Sequence, residues 1–160
     1  MHILEGMADQ RSDAFNYPMT RVLTRYQSDC GVSAEQSALH ERELKRYLYL
    51  CAQNPGVHWP MVNSIDGLWH TFLLFTQDYH AFCAELGVPF IHHEPFTDGH
   101  VPATLADDYN RFLHEYREHF GEPPTEIWPR SITNDRGDCA SCGSGCSGAG
   151  CGSSCGSSCR

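Results

Sequence analysis

From Cys139 to Arg160 the chain offers six Cys, six Gly, seven Ser, two Ala and one Arg, with no Leu, Ile, Val or aromatic residue. Such a stretch has nothing to bury, and its glycines and serines maximise the chain entropy that ordering must overcome. It is therefore expected to form a disordered Cys/Gly/Ser-rich tail. Ser-Ile-Thr-Asn-Asp-Arg-Gly-Asp, 131–138, carries turn formers and charge, and places the start of the tail segment, 131–160, near Ser131. Residues 1–16 are also polar and are expected to be flexible, which leaves 17–130 as the folded domain. A segment of that size supports one small core.

Charge narrows the partners. Against 20 Asp+Glu stand 11 Lys+Arg, a formal charge of −9. The chain lacks the cationic surplus that neutralises phosphates or anionic lipid heads, so neither nucleic acid nor a membrane surface is an expected partner. A metal ion, with or without a protein partner, suits the acidic balance. The most apolar stretch, Leu68 to Phe82, is interrupted by His70, Thr71, Gln77, Asp78 and His80, short of the roughly 18 apolar residues that span a bilayer. The N-terminal MHILEGMADQRSD has no basic region followed by a long apolar run, so a reducing, cytoplasmic location is expected.

Within 17–130 the apolar spacing is helical. Val22, Leu23 and Tyr26 follow Pro18 until Gly31, a first helix. Ser33 with Gln36 forms a capping box for a second, whose Leu39, Leu44, Tyr47, Leu48 and Cys51 share a face until Asn54-Pro55-Gly56. Ser64 can cap a third helix over 64–86, the expected central one, with Ile65, Leu68, Trp69, Phe72, Thr76, Tyr79, Phe82, Cys83 and Leu86 along one stripe. Thr104 can cap a fourth carrying Leu105, Tyr109, Phe112, Leu113, Tyr116 and Phe120. With no sustained alternating pattern, the fold expected is a mostly α, small bundle of about four helices.

The chemistry-bearing residues cluster around the third helix. Asp66 and His70 lie one turn apart on one face, where a carboxylate can accept from an imidazole or both can hold one ligand. His80, ten residues beyond His70, is rotated by roughly 280° and displaced by about 15 Å on a continuous helix, too far to share an ion. His92 and His93 follow Pro89, where the chain can turn back, and because adjacent side chains diverge in extended backbone only one is expected to face the helix. Asp66, His70 and His92 or His93 thus form a candidate site for zinc or another transition ion. The plainer alternative is a satisfied polar network that fixes the loop to the bundle.

SIDGLWHTFLLFTQDYHAFC, followed by FIHHEP, resembles the glycine-rich domain-containing protein-like family of bacterial type, over about Arg21 to Pro129. Asp66, Trp69-His70, Tyr79, His92-His93 and the late Ile127-Trp128-Pro129 carry the resemblance, while Phe72 stands where plant relatives tend to complete Trp-His-x-His. The resemblance implies a helical domain joined to a glycine-rich tail.

The tail adds thiols. Cys139 and Cys142 stand at CxxC spacing, and Cys146, Cys151, Cys155 and Cys159 follow at intervals of four or five. Thiolates in a Gly/Ser chain can wrap a soft ion, zinc or copper(I), and no backbone geometry opposes coordination. The function expected is non-enzymatic metal binding through these thiolates, with Asp66, His70, His92 and His93 as a second site. The alternatives are a precursor of an azole- or thioether-modified peptide with the tail as its core, or a protein-interaction module with a solubilising tail. An enzyme is not expected: Cys83 as nucleophile with His80 or His93 as base would lie on an apolar face that disfavours thiolate.

Overall fold

The computed structural model describes residues 13–94 and 103–132. Among them are five α-helices, α1 (Thr20–Cys30), α2 (Ala34–Gln53), α3 (Asn63–Leu74), α4 (Thr76–Glu85) and α5 (Leu105–Phe120), with helical residues 13–16 before α1 and no strand. The protein is a mostly helical bundle, as the periodicity requires. Of the expected tail, residues 133–160 lie outside the described residues, as do residues 1–12 of the expected flexible N-terminus.

Local signals account for the first two helices. α1 stops at Gly31, whose φ of 65° admits the left-handed turn and whose N–H bonds the Gln27 carbonyl at 2.9 Å. α2 opens on the complete Ser33/Gln36 capping box. Its buried residues run almost without interruption from Glu43 to Leu50, because α1, α3 and α5 all pack on it. The centre of the bundle is therefore shared between α2 and α3, the latter packing on α1, α2 and α4.

The single helix expected over 64–86 is instead two. At Phe75 the backbone leaves the helical region (φ −93°, ψ 65°). The break has a packing reason. On one straight helix, Trp69 and Tyr79 would be about 15 Å apart along the axis and roughly 80° apart around it. With the break, Trp69 Nε1 donates to the Tyr79 hydroxyl at 3.1 Å. The start differs too: α3 begins at Asn63 behind Val62, and Ser64 makes no cap. Thr104 occupies the position before α5 but its hydroxyl donates to the Asp108 carboxylate instead of capping a backbone N–H.

Both ends of the domain reach slightly further than the sequence boundaries suggest. Ala14 is buried in the region assigned to the flexible N-terminus, and the Phe15 ring packs on Tyr49 and Phe120. Buried Lys45 holds this segment by donating to the Phe15 and Tyr17 carbonyls at 3.2 and 2.7 Å. At the other end Trp128 is fully buried against Phe112 and Tyr47, and Ile132 is buried as well.

Under Trp128 lies a fully buried carboxylate, Glu43. It accepts from the Tyr116 hydroxyl at 2.6 Å and from Trp128 Nε1 at 2.9 Å, and pairs with Arg42 and Arg46. Each oxygen of the charge has partners, the condition under which a buried carboxylate is tolerated.

Candidate metal centre

Two segments build the site. Asp66 sits in the first turn of α3 with His70 one turn on, so both project from the same face. The third side chain arrives on the segment after α4. Gly87 (φ 76°) reverses the chain, the Val88 N–H bonds the Cys83 carbonyl at 3.0 Å, and the Tyr79 hydroxyl donates to the Ile91 carbonyl at 2.6 Å. Extended backbone then alternates: Ile91 is buried, His92 is exposed, and His93 turns inward. His93 reaches the helix and His92 does not; the His92 ring packs against Phe90.

Asp66 lies between the two imidazoles. His93 Nε2 is 2.9 Å from Asp66 Oδ1, and His70 Nδ1 is 3.2 Å from Asp66 Oδ2. The His70 and His93 ring centres are 4.6 Å apart, and Trp69 walls His93 with a ring-centre distance of 4.3 Å. One donor atom from each of Asp66, His70 and His93 falls within 4.8 Å of the others. Burial lowers the His70 pKa, with the nearby His93 adding in the same direction and Asp66 opposing. His70 is thereby held neutral at pH 7, the form whose lone pair can ligate.

A cleft of about 550 Å³ opens beside this group. Asp66 and His93 stand on its wall with Tyr47, Trp59, Trp69 and Asp108. Trp59 is 7% exposed, and its Nε1 is buried without a hydrogen-bond partner. Sequence reasoning passed over Trp59, which lies in the α2–α3 connection outside any periodic pattern. It passed over Glu43 too, although an acid one residue before Leu44 and four before Tyr47, on the buried side of α2, was a readable signal.

The other sequence candidates are dispersed. His80 is exposed on α4. Cys83 is fully buried and burial raises its thiol pKa. Cys51 and Cys83 are free thiols. Cys139, Cys142, Cys146, Cys151, Cys155 and Cys159 lie outside the described residues.

Fold and site together define a helical domain with a carboxylate and two imidazoles gathered at the side of its central helices. Residues 9–108 match the UCP032817-like family, and the chain belongs to it. This corrects the resemblance to the glycine-rich domain-containing protein-like family. The residues that carried that resemblance have packing duties in this bundle: Trp69 and Tyr79 hold α3 to α4, and Trp128 covers Glu43. The glycine-rich tail lies beyond the match, whereas Asp66, His70, His92 and His93 lie within it. No curated protein and no solved structure matches the chain. No helix among the described residues is long and apolar enough to cross a membrane.

Proposed function

We propose that this is a non-enzymatic metal-binding protein whose helical domain holds one divalent transition ion on Asp66, His70 and His93. The observation that carries the reading is the convergence of these three donors from two separate segments. Donors about 2 Å from a tetrahedral ion stand roughly 3.3 Å from each other, close to the 3.2 Å between His70 Nδ1 and Asp66 Oδ2. Two imidazoles and a carboxylate suit zinc better than copper(I), which prefers sulfur. Without the ion, the Asp66–His93 contact at 2.9 Å already ties the loop histidine to α3, and the three donors, within 4.8 Å of one another, draw together on binding. The tail thiolates form the soft-ligand part of the same reading, on the chemistry of their sequence alone. The buried, weakly acidic Cys83 supports leaving nucleophilic catalysis out of it.

Zinc stoichiometry tests the reading in full-length protein and in a full-length variant with the six tail cysteines replaced by serine. The serine variant is expected to retain one zinc per chain after dialysis, and to lose it when Asp66→Asn and His93→Gln are added. A serine variant that binds no zinc would leave Asp66, His70 and His93 as a hydrogen-bonded network only. Intact mass of native protein decides the modified-peptide alternative, since each azole ring removes one water, about 18 Da.

A further inference from the structure

The cleft beside the cluster is the feature the metal reading leaves unused. We infer that it takes a small monoanionic oxygen-donor ligand on an aromatic body, a carboxylate or hydroxamate, which completes the coordination of the ion; the inference rests on the proposed metal site. Three protein donors leave a tetrahedral ion one exchangeable position. Two of the three, Asp66 and His93, line the cleft, so that position is reached from it. The volume of about 550 Å³ is of the size that encloses small organic ligands.

The wall chemistry selects the ligand. A divalent ion with one carboxylate and two neutral imidazoles keeps one net positive charge, which one anionic group neutralises. Elsewhere the lining carries acids: Glu94, exposed and 3.6 Å from His58, and Asp108, which accepts from the Thr104 hydroxyl and pairs with Arg111. A second anionic group on the ligand would meet these, so a monoanion is favoured over a diacid. Tyr47, Trp59 and Trp69 give the cleft aromatic walls. Trp59 supplies the specific contact. Its carbonyl already accepts from Tyr47 at 2.6 Å, while its buried indole N–H has no partner among the described residues. That donor is enclosed, so a ligand oxygen in the cleft meets it through a shift of the adjoining wall, which the cost of a desolvated, unpaired N–H favours.

The test uses the full-length variant with serine at the six tail positions, loaded with cobalt(II), with benzohydroxamate as probe. Benzohydroxamate is expected to change the visible cobalt spectrum saturably while the cobalt stays with the protein through desalting, and acetohydroxamate to bind at least about tenfold more weakly. Trp59→Phe keeps the ring and removes the N–H; it is expected to weaken benzohydroxamate about tenfold and leave cobalt affinity unchanged. Cobalt bound with a spectrum indifferent to benzohydroxamate, or cobalt stripped from the protein by it, overturns the cleft inference and leaves the metal reading standing. Equal affinity in Trp59→Phe overturns the role of the indole. Failure to bind cobalt at all overturns both readings.

Discussion

The Tyr79 hydroxyl donates to the Ile91 carbonyl at 2.6 Å while accepting from Trp69 Nε1 at 3.1 Å, so one phenol ties α3 to the segment that carries His93 two residues further on. Burial raises the Tyr79 pKa, so it stays a protonated donor throughout the working range. The link from fold to site runs through this group.

Tyr79→Phe is expected to destabilise the protein by about 1–3 kcal/mol, because it leaves a buried indole N–H and a carbonyl without their partner. It should also weaken zinc binding by roughly tenfold, the scale seen when groups that orient ligands are removed. Urea denaturation and zinc titration on the same samples check both. Loss of stability with zinc affinity intact would show that His93 is held by other contacts.

At the cluster itself, Asp66→Asn, His70→Gln and His93→Gln are each expected to lower zinc affinity by tenfold or more. His92→Gln, altering an exposed ring one residue away, is expected to change it less than twofold. Competition with a chromogenic chelator measures all four. The contrast between His92 and His93 matters most, because it depends only on which way two adjacent side chains face.

How far this site was legible follows from which contacts are local. Asp66 and His70 are four residues apart on one helix, so spacing alone set their common face. The arrival of one loop histidine followed from Pro89 and the alternation of extended chain, but which of His92 and His93 faces inward depends on where Tyr79 grips the segment. That grip depends on the break at Phe75, where an uninterrupted apolar stripe gave no sign of an interruption. The capping box of α2 was exact because both partners lie within one turn. The spacing from Glu43 to Tyr47 could mark Glu43 as inward-facing, but its partners lie 73 and 85 positions away, and no local pattern names them.

Glu43→Ala is expected to be the most damaging single change in the core, at about 3–5 kcal/mol, because it strands the Tyr116 and Trp128 donors and the adjacent Arg46 charge in place of a satisfied network. Glu43→Gln keeps the shape and one acceptor oxygen and should cost less. Chemical denaturation of both variants gives the order, and a cost for alanine below about 1 kcal/mol would contradict the network's importance.

Acid should destabilise the fold partly through His40. Its Nδ1 lies 2.8 Å from the Tyr26 hydroxyl, and burial lowers its pKa below 6.5. The unfolded chain therefore binds more protons than the folded one between the depressed pKa and 6.5, so stability falls as pH drops through that window and is unaffected by this group above it. His70 titrates in the same direction. In His40→Gln, which retains an acceptor for Tyr26, the loss of stability between pH 7.5 and 5.5 is expected to be smaller than in the parent. Urea midpoints at the two pH values, taken in metal-free buffer, measure the difference.

The thiols of the folded domain should resist alkylation. Burial pushes the Cys51 thiol up to about 12 and also raises Cys83, which is fully buried on α4. Since the thiolate is the reacting form, a pKa near 12 leaves about one sulfur in ten thousand ionised at pH 8. With the six tail cysteines replaced by serine, iodoacetamide at pH 8 is expected to leave Cys51 and Cys83 unmodified in native protein over a period that labels them fully in urea. Peptide mass mapping assigns the labels. If Cys83 is carboxamidomethylated as fast in native protein as in urea, the α4 face is open to solvent and Cys83 is available as a nucleophile.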